Sequence, residues 1–413
     1  MRHSPSLETG AVVEHLWARY DLQSSLLTVK IGFLVDKVAP EYVGGYEARL
    51  WAFALGLARH HEVRIYTSTP GSEKVPDSNP LKVPCHPLLE RRKVAGRSLA
   101  HSVLFSVGVL ADPLGGWRPD VFIVEAIPYL HLYSLRRWIL RLSCPKVLDV
   151  AEAWSGYVPS NGPLARPSAW LSHRLLSIGL QWSDRAFAPS HVTARSLTVN
   201  YGCNTVDVVP MGIPSVKKDS DLEARQEAAS YDFVTLGRLS TEKRHADFLR
   251  ALSVLKSQGW RGRALVIGTG PLAGSLVDLA RRLDLAGQVD FCGFVSPETK
   301  LDLLSKSRVY VLCSEREGQS IATLEALSCG LPAVVAKPPQ AEVFGVSELV
   351  WDGENGLYYP VGDIGRLSSC MHLLLSDAPL RLRLSESSIV TACRFDWNKI
   401  LDSLERRLLD IVC

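Results

Sequence analysis

Two glutamates, Glu317 and Glu325, lie eight positions apart in the stretch SEREGQSIATLEALSCGLP, which runs from Ser314 to Pro332. The apolar run before it, Val309 to Cys313, has the length and branching of a buried parallel strand. Ser320 to Ser328 has helical spacing, with Leu324 and Leu327 on one face. Gly330 suits the left-handed residue just past the helix end, and Pro332 cannot continue the helix. A helix therefore starts at the carboxyl end of a strand, with Gly318, Gln319, Ser320 and Ile321 at its opening. Its free N–H groups and positive dipole end form an anion site there. A helix of this length rises roughly 12 Å, about the span from the ribose to the sugar in a nucleotide-diphosphate sugar. One carboxylate at each end could grip hydroxyls on both, with the phosphates at the helix start. A surface helix with two solvated glutamates has the same spacing.

Arg238 and Lys243 follow the first strand of the second half, Phe233–Leu236. Two fixed cations beyond a strand's carboxyl end would neutralise a departing diphosphate, Arg as a fork of donors and Lys as a point charge. Alone they read equally well as solvated surface charges. Gly44-Gly45 sits between the strand Val29–Val35 and a helix from Tyr46, where a glycine pair lets backbone approach a phosphate. Gly268-Thr269-Gly270-Pro271, with Gly274 beyond, resembles a dinucleotide fingerprint. Its spacing is G-x-G-x-x-x-G, however, and Asp290 opens the following strand instead of closing it, so an NAD site is weakly supported. Asp219-Ser220-Asp221 imitates a D-x-D metal motif but falls between domains and reads as a solvated turn. Glu125 and Glu152 stand at or just past strand ends in the first half. Each is a candidate sugar contact or base, or else a strand-end carboxylate accepting backbone N–H bonds. His131, Arg136, Arg137, Trp138 and Arg141 interleave basic and aromatic residues on a helix, which suits a solvated face or a lipid headgroup layer.

The elements that must position these residues alternate strand and helix twice along the chain, which gives two parallel, doubly wound sheets. The expected division is an extension at 1–27, a Rossmann-like half at 28–214, a polar linker at 215–230, a second Rossmann-like half at 231–395, and a terminal helix at 396–413. A chain of 413 residues calls for two cores. Ligands of such sheets sit beyond the carboxyl ends of the strands, so the expected site is a cleft faced by both halves.

Nine cysteines without C-x-x-C pairs or histidine companions read as reduced thiols, and no metal site follows from them. No leader pattern and no uninterrupted apolar run of about 18 residues is present, so a cytoplasmic protein is expected. Charge is uneven: residues 1–212 carry 22 Lys+Arg against 17 Asp+Glu, and residues 82–146 alone carry 10 against 4. That excess is too small for a nucleic-acid partner and better suited to an anionic membrane face or acceptor.

Taken together the chain resembles the family 4 retaining glycosyltransferases, from about Val29 to its end and most strongly over residues 233–360. The segments that carry the resemblance are VTLGRLSTEK, LVIGTGP, VDFCGFV, EGQSIATLEALSCGLPAVV and WDGENGLYYPVGD. The resemblance implies a GT-B fold whose terminal helix returns to the first domain. It implies that Glu317 lies against the donor sugar, Glu325 grips the ribose, and Arg238 with Lys243 holds the diphosphate. Gly44-Gly45 matches the family's glycine loop, and Phe294-Val295 the strand end beside the base. Transfer then proceeds with retention and without a bound metal or cofactor, the departing diphosphate helping to deprotonate the acceptor on the same face. Two departures stand out. Many members carry a His beside an acidic residue where this chain has Ala151-Glu152, followed by Trp154, which bears on donor choice. Lys337-Pro338-Pro339-Gln340 also replaces a small, Gly-rich segment before the acidic residue matching Glu348. The expectation is a retaining glycosyltransferase using a UDP- or GDP-linked hexose, with a saccharide, lipid-linked or small-molecule acceptor. Rival readings are a nucleotide-sugar epimerase of the same fold, an NAD-dependent oxidoreductase, and a sugar-nucleotide sensor without turnover.

Overall fold

The computed structural model describes residues 28–37, 45–68, 83, 85–88, 99–153, 165–215, 221–339 and 344–412. The extension 1–27, Gly44, Trp154, Asp219, Ser220 and Gln340 lie outside the described residues. The chain divides into two compact units, Met1–Pro210 with Ile400–Cys413, and Met211–Lys399.

The first unit holds β1 (Lys30–Val35), α1 (Gly45–Leu57), β2 (Glu62–Thr67), β3 (Cys85–Pro87), α2 (Leu99–Gly108), β4 (Val121–Glu125), α3 (Leu130–Ile139), β5 (Lys146–Asp149), α4 (Ala165–Trp182), β6 (Arg185–Ala188), α5 (His191–Tyr201) and β7 (Val206–Val208). Its strands pair in the order β3-β2-β1-β4-β5-β6-β7, each pair parallel. Helices cover the faces of such a sheet, so its strands read as continuous apolar runs. In β1 only Lys30 is exposed, and β4 is buried throughout, its final Glu125 included. Ser190 caps α5, its Oγ accepting the Thr193 N–H at 3.1 Å. β3 is a short edge strand. Three residues are too few to show an alternating pattern, and the strand exists because it pairs with the end of β2.

The second unit holds α6 (Leu222–Glu227), β8 (Tyr231–Leu236), α7 (His245–Ser257), β9 (Ala264–Ile267), α8 (Ala273–Arg282), β10 (Val289–Gly293), α9 (Pro297–Ser305), β11 (Ser307–Leu312), α10 (Ile321–Ser328), β12 (Ala333–Lys337), β13 (Gly356–Pro360), α11 (Ile364–Ser376) and α12 (Ala378–Ala392). The strand order is β10-β9-β8-β11-β12-β13, again parallel throughout. Phe248, Leu249, Leu252 and Leu255, one stripe of α7, are buried in one core with Phe233, Val266 and Val311. The polar stretch read as linker contains α6, which is docked onto this unit. Leu222 is buried, and Arg225 donates to Ser305 O at 3.1 Å and to Cys329 O at 2.6 Å. Those carbonyls end α9 and α10 and have no partner inside their own helices, so the polar residues of α6 cap them.

The last helix, α13 (Trp397–Val412), is shared out by the division, its residues from Ile400 onward belonging to the first unit. His60 Nδ1 and His61 Nε2 meet Glu405 Oε1 at 3.1 and 3.0 Å, and Arg407 donates to Asp207 Oδ1 at 2.6 Å. Gly56 makes the approach possible, since a Cβ there would fall 2.5 Å from Leu401 Cδ1. The terminal helix thus returns to the first unit.

Candidate functional site

The carboxyl ends of β8 and β11 in the second unit carry most of the residues singled out by spacing. The loop after β8 presents Arg238 with an exposed side chain and then turns through a short 3-10 segment that ends at Lys243. The loop after β11 runs from Cys313 to Ser320 and opens α10. Across these two loops, Lys243 Nζ donates to Glu317 Oε1 at 2.6 Å. Glu317 is held from behind as well, its carbonyl accepting the Gly345 N–H at 2.8 Å. Glu325 lies further along α10, and Lys300 of α9 donates to its Oε1 at 2.5 Å. Both members of the glutamate pair therefore rest against a lysine ammonium, each pair partly open to solvent.

The helix start is built as the spacing predicts. Ser320 Oγ accepts the Thr323 N–H at 3.3 Å, Ile321 is the first helical residue, and Gly330 has φ +68° beyond the end. Gly318 is buried within the loop. Gln319 has a partner of its own: its Oε1 accepts the Met211 N–H at 2.5 Å, so the side chain braces backbone in this unit.

Gly268 and Gly270 follow β9, and their absent side chains are explained by neighbouring backbone. Gly268 has φ +136°, and a Cβ there would lie 1.9 Å from Gly237 O. At Gly270 the corresponding distance is 2.4 Å, to Leu239 O. The β8 and β9 loops are meshed, with Leu239 N–H donating to Thr269 O at 2.9 Å. The glycine pattern that resembles a dinucleotide fingerprint is thus consumed by loop packing. After β10, Phe294 is 53% exposed and Val295 half-buried, the strand end being tied back where Gly268 N–H donates to Gly293 O at 2.8 Å. A depression of about 390 Å³ beside these loops is lined by Leu239, Gly268, Thr269, Gly274 and Gly293 among others, and by none of Arg238, Lys243, Glu317 and Glu325.

Burial shifts the groups beneath these loops. His245, first residue of α7, has its pKa lowered to about 4 chiefly by burial, so the ring is neutral at pH 7. Its Nε2 sits 3.3 Å from Arg238 O and its Nδ1 3.4 Å from Thr235 Oγ1. Tyr310 in β11 is held well above the usual phenol range, first by burial and then by the Glu317 charge.

In the first unit, Gly45 is the first residue of α1. Glu125 closes β4, is 1% exposed, and accepts the Asp36 N–H through Oε2 at 2.7 Å. It takes the backbone-accepting role weighed for it. Glu152, half-buried just past β5, offers its carbonyl to Tyr129 OH at 3.3 Å. Asp36 in turn meets His101 Nε2 at 2.5 Å and Ser68 Oγ at 2.9 Å. Arg49 and Asp149 form a fully buried pair, with Nη1 at 2.5 and 2.6 Å from the two carboxylate oxygens and Nη2 donating to Val209 O.

Two sequence families match adjacent stretches of the chain, one on each half. Glycosyl transferases group 1 covers residues 219–390, and Glycosyltransferase Family 4 covers residues 43–216. The chain belongs to the group 1 glycosyltransferases. Among relatives of this glycosyltransferase, an alpha-monoglucosyldiacylglycerol synthase of Streptococcus pneumoniae is 24% identical over 81% of this chain and 76% of its own. An alpha-D-kanosaminyltransferase of Streptomyces kanamyceticus is 27% identical over 41% of this chain, a match that spans only 45% of that relative's length. Anabaena HepE, solved with UDP and glucose, superposes with a TM-score of 0.70 at 19% identity, covering 92% of this chain and 99% of that one, and shares the fold.

Reasoning from spacing missed two ion pairs of this glycosyltransferase. Lys300 lies on a helix that was not anticipated, six positions after Phe294, and only the fold brings it to Glu325. Arg49 and Asp149 sit in separate elements whose pairing no local pattern reveals.

Proposed function

We propose that the chain moves a hexose-type sugar from a UDP- or GDP-linked donor to a saccharide, lipid-linked or small-molecule acceptor, with retention at the anomeric carbon. The observation that carries this reading is the charge arrangement at the carboxyl end of the second sheet. Arg238 is exposed, while Lys243 and Lys300 are held on Glu317 and Glu325. A donor diphosphate entering at the start of α10 would take Lys243 from Glu317, freeing that carboxylate for the hydroxyls of the donor sugar. Glu325 is placed for the ribose diol, and Phe294 with Val295 for the base. As the glycosidic bond to the diphosphate breaks, negative charge grows on the leaving oxygens, and Arg238 and Lys243 stabilise it. The same oxygens then accept the proton of the attacking hydroxyl on the face they have left. With two cations assigned to the diphosphate, the reaction needs neither a metal nor a cofactor, so a chelator should leave turnover unchanged. The names of the relatives agree with glycosyl transfer, one to a diacylglycerol lipid and one of an amino sugar.

A thermal-shift series with UDP-, GDP- and ADP-linked sugars tests the donor class, since a specific donor stabilises the folded state by mass action. Glu325→Ala should weaken donor binding about 10- to 100-fold, the loss of one hydrogen bond to a charged group. Unchanged donor affinity would remove Glu325 from the ribose. Incubation with donor alone separates transfer from epimerisation, because an epimerase yields an isomerised nucleotide sugar without any acceptor.

A further inference from the structure

Helices α2, α3 and α4 of the first unit pack side by side on one face of its sheet. Phe105 of α2, Leu135 and Trp138 of α3 and Leu176 of α4 share one core with Phe122 and Leu148. Their outer faces are unusual. Of eleven exposed large hydrophobic side chains among the described residues, seven lie on these helices or directly after them. Val103 and Val107 lie at helical spacing on α2, and Leu110 continues the line two residues past its end. On α3 Tyr133 is 62% exposed and Leu140 follows it two turns on, and on α4 Trp170 is 65% exposed beside Leu171.

Charge selects the occupant. The sequences of the three helices contain no aspartate or glutamate at all. Arg136 and Arg137 fall between Tyr133 and Leu140, Arg141 follows, and Arg174 lies one turn past Trp170, all four exposed. Among the described residues, no carboxylate pairs with any of them. Arg174 lies outside the basic segment 82–146, so the fold extends a surface that sequence order splits.

We propose that this face docks on an anionic lipid bilayer. A second copy of the chain would set arginine against arginine with nothing to neutralise either, because a two-fold interface repeats the same patch on both sides. A bilayer supplies what both kinds of side chain need. Anionic headgroups meet the arginines, and the boundary below them takes Tyr133, Trp170 and the valine stripe. No helix among the described residues is long and apolar enough to cross a membrane, and the contact proposed is a peripheral one. The proposal does not depend on the donor reading.

Sedimentation of the full chain with phosphatidylcholine vesicles, with and without phosphatidylglycerol, at low and high salt, tests it. The chain should pellet with the anionic vesicles and less so at high salt. Arg136→Gln/Arg137→Gln/Arg174→Gln should weaken binding about five-fold per arginine, about a hundred-fold together. Tyr133→Ser/Trp170→Ser should remove the binding that survives high salt. Both variants should melt at the wild-type temperature, which separates lost docking from lost folding. Failure to pellet with anionic vesicles at low salt, or a triple variant that pellets like the wild type, overturns the proposal. So does concentration-dependent dimerisation that the same substitutions abolish, which would assign the face to a second copy. A chain that binds vesicles but no nucleotide sugar would leave this proposal standing and refute the donor reading.

Discussion

Each unit carries charged residues at or beyond the carboxyl ends of its strands, yet the two hold them differently. In the first unit Asp36, Glu125 and Asp149 are sealed in, each already engaged by His101, a backbone N–H or Arg49. In the second, Arg238 is exposed and the pairs Lys243–Glu317 and Lys300–Glu325 keep partial access to water. A sealed pair fixes geometry and is costly to break, whereas a half-open pair can trade one partner for a ligand at little net loss. Charged residues near the strand ends are therefore sealed in one unit and left partly open in the other.

Breaking the sealed side should have the largest effect. Arg49→Met leaves the Asp149 carboxylate buried without its partner and should destabilise the first unit by about 3–5 kcal/mol. Chemical denaturation reads this, and the second unit's donor binding should survive in conditions where the variant stays folded. Breaking the half-open side should do the reverse. Lys243→Ala should lower kcat about 100- to 1,000-fold, as for loss of one group that stabilises transition-state charge. Its melting temperature should move little, because a partly exposed pair contributes little to stability.

His245 sharpens the contrast by showing what supports the half-open side. Its pKa is near 4 in the folded protein against an ordinary 6.5, so the unfolded chain takes up the proton first. The contribution of the neutral ring is then complete above pH 6.5 and is lost as pH falls toward 4. The full shift corresponds to about 3 kcal/mol. Melting curves from pH 7 to 4.5 should show this slope in the wild type and a flatter one in His245→Asn. The smallest expected effect is at Lys300. Lys300→Met should raise the KM for donor about 10-fold with kcat little changed, if the lysine only orients Glu325, and Lys300→Arg should restore most of it.

How much of this was legible in the sequence depended on the range of the signal. The glutamate spacing, the helix over Ser320 to Ser328 and the left-handed Gly330 past its end are local patterns, and the fold reproduces them. Gly268 and Gly270 were legible as positions that need glycine, but not why. The reason is a carbonyl contributed by another loop, and a ligand's phosphate would ask the same of the chain. Glu125 shows a similar limit. A carboxylate at a strand end can face outward or accept an N–H, and only the close approach of Asp36 decides. α6 was hidden by its own polarity, since Arg225 spends its charge on carbonyls that become neighbours only after α9 and α10 have formed.

The return of α13 orders events during synthesis. Leu401, Glu405 and Arg407 are made after the whole second sheet, yet they complete packing around Gly56, His60 and Asp207, which were made long before it. The amino-terminal half must wait, unfinished, while the whole carboxyl-terminal sheet emerges from the ribosome. A premature stop within α13 would therefore injure a unit translated well before it.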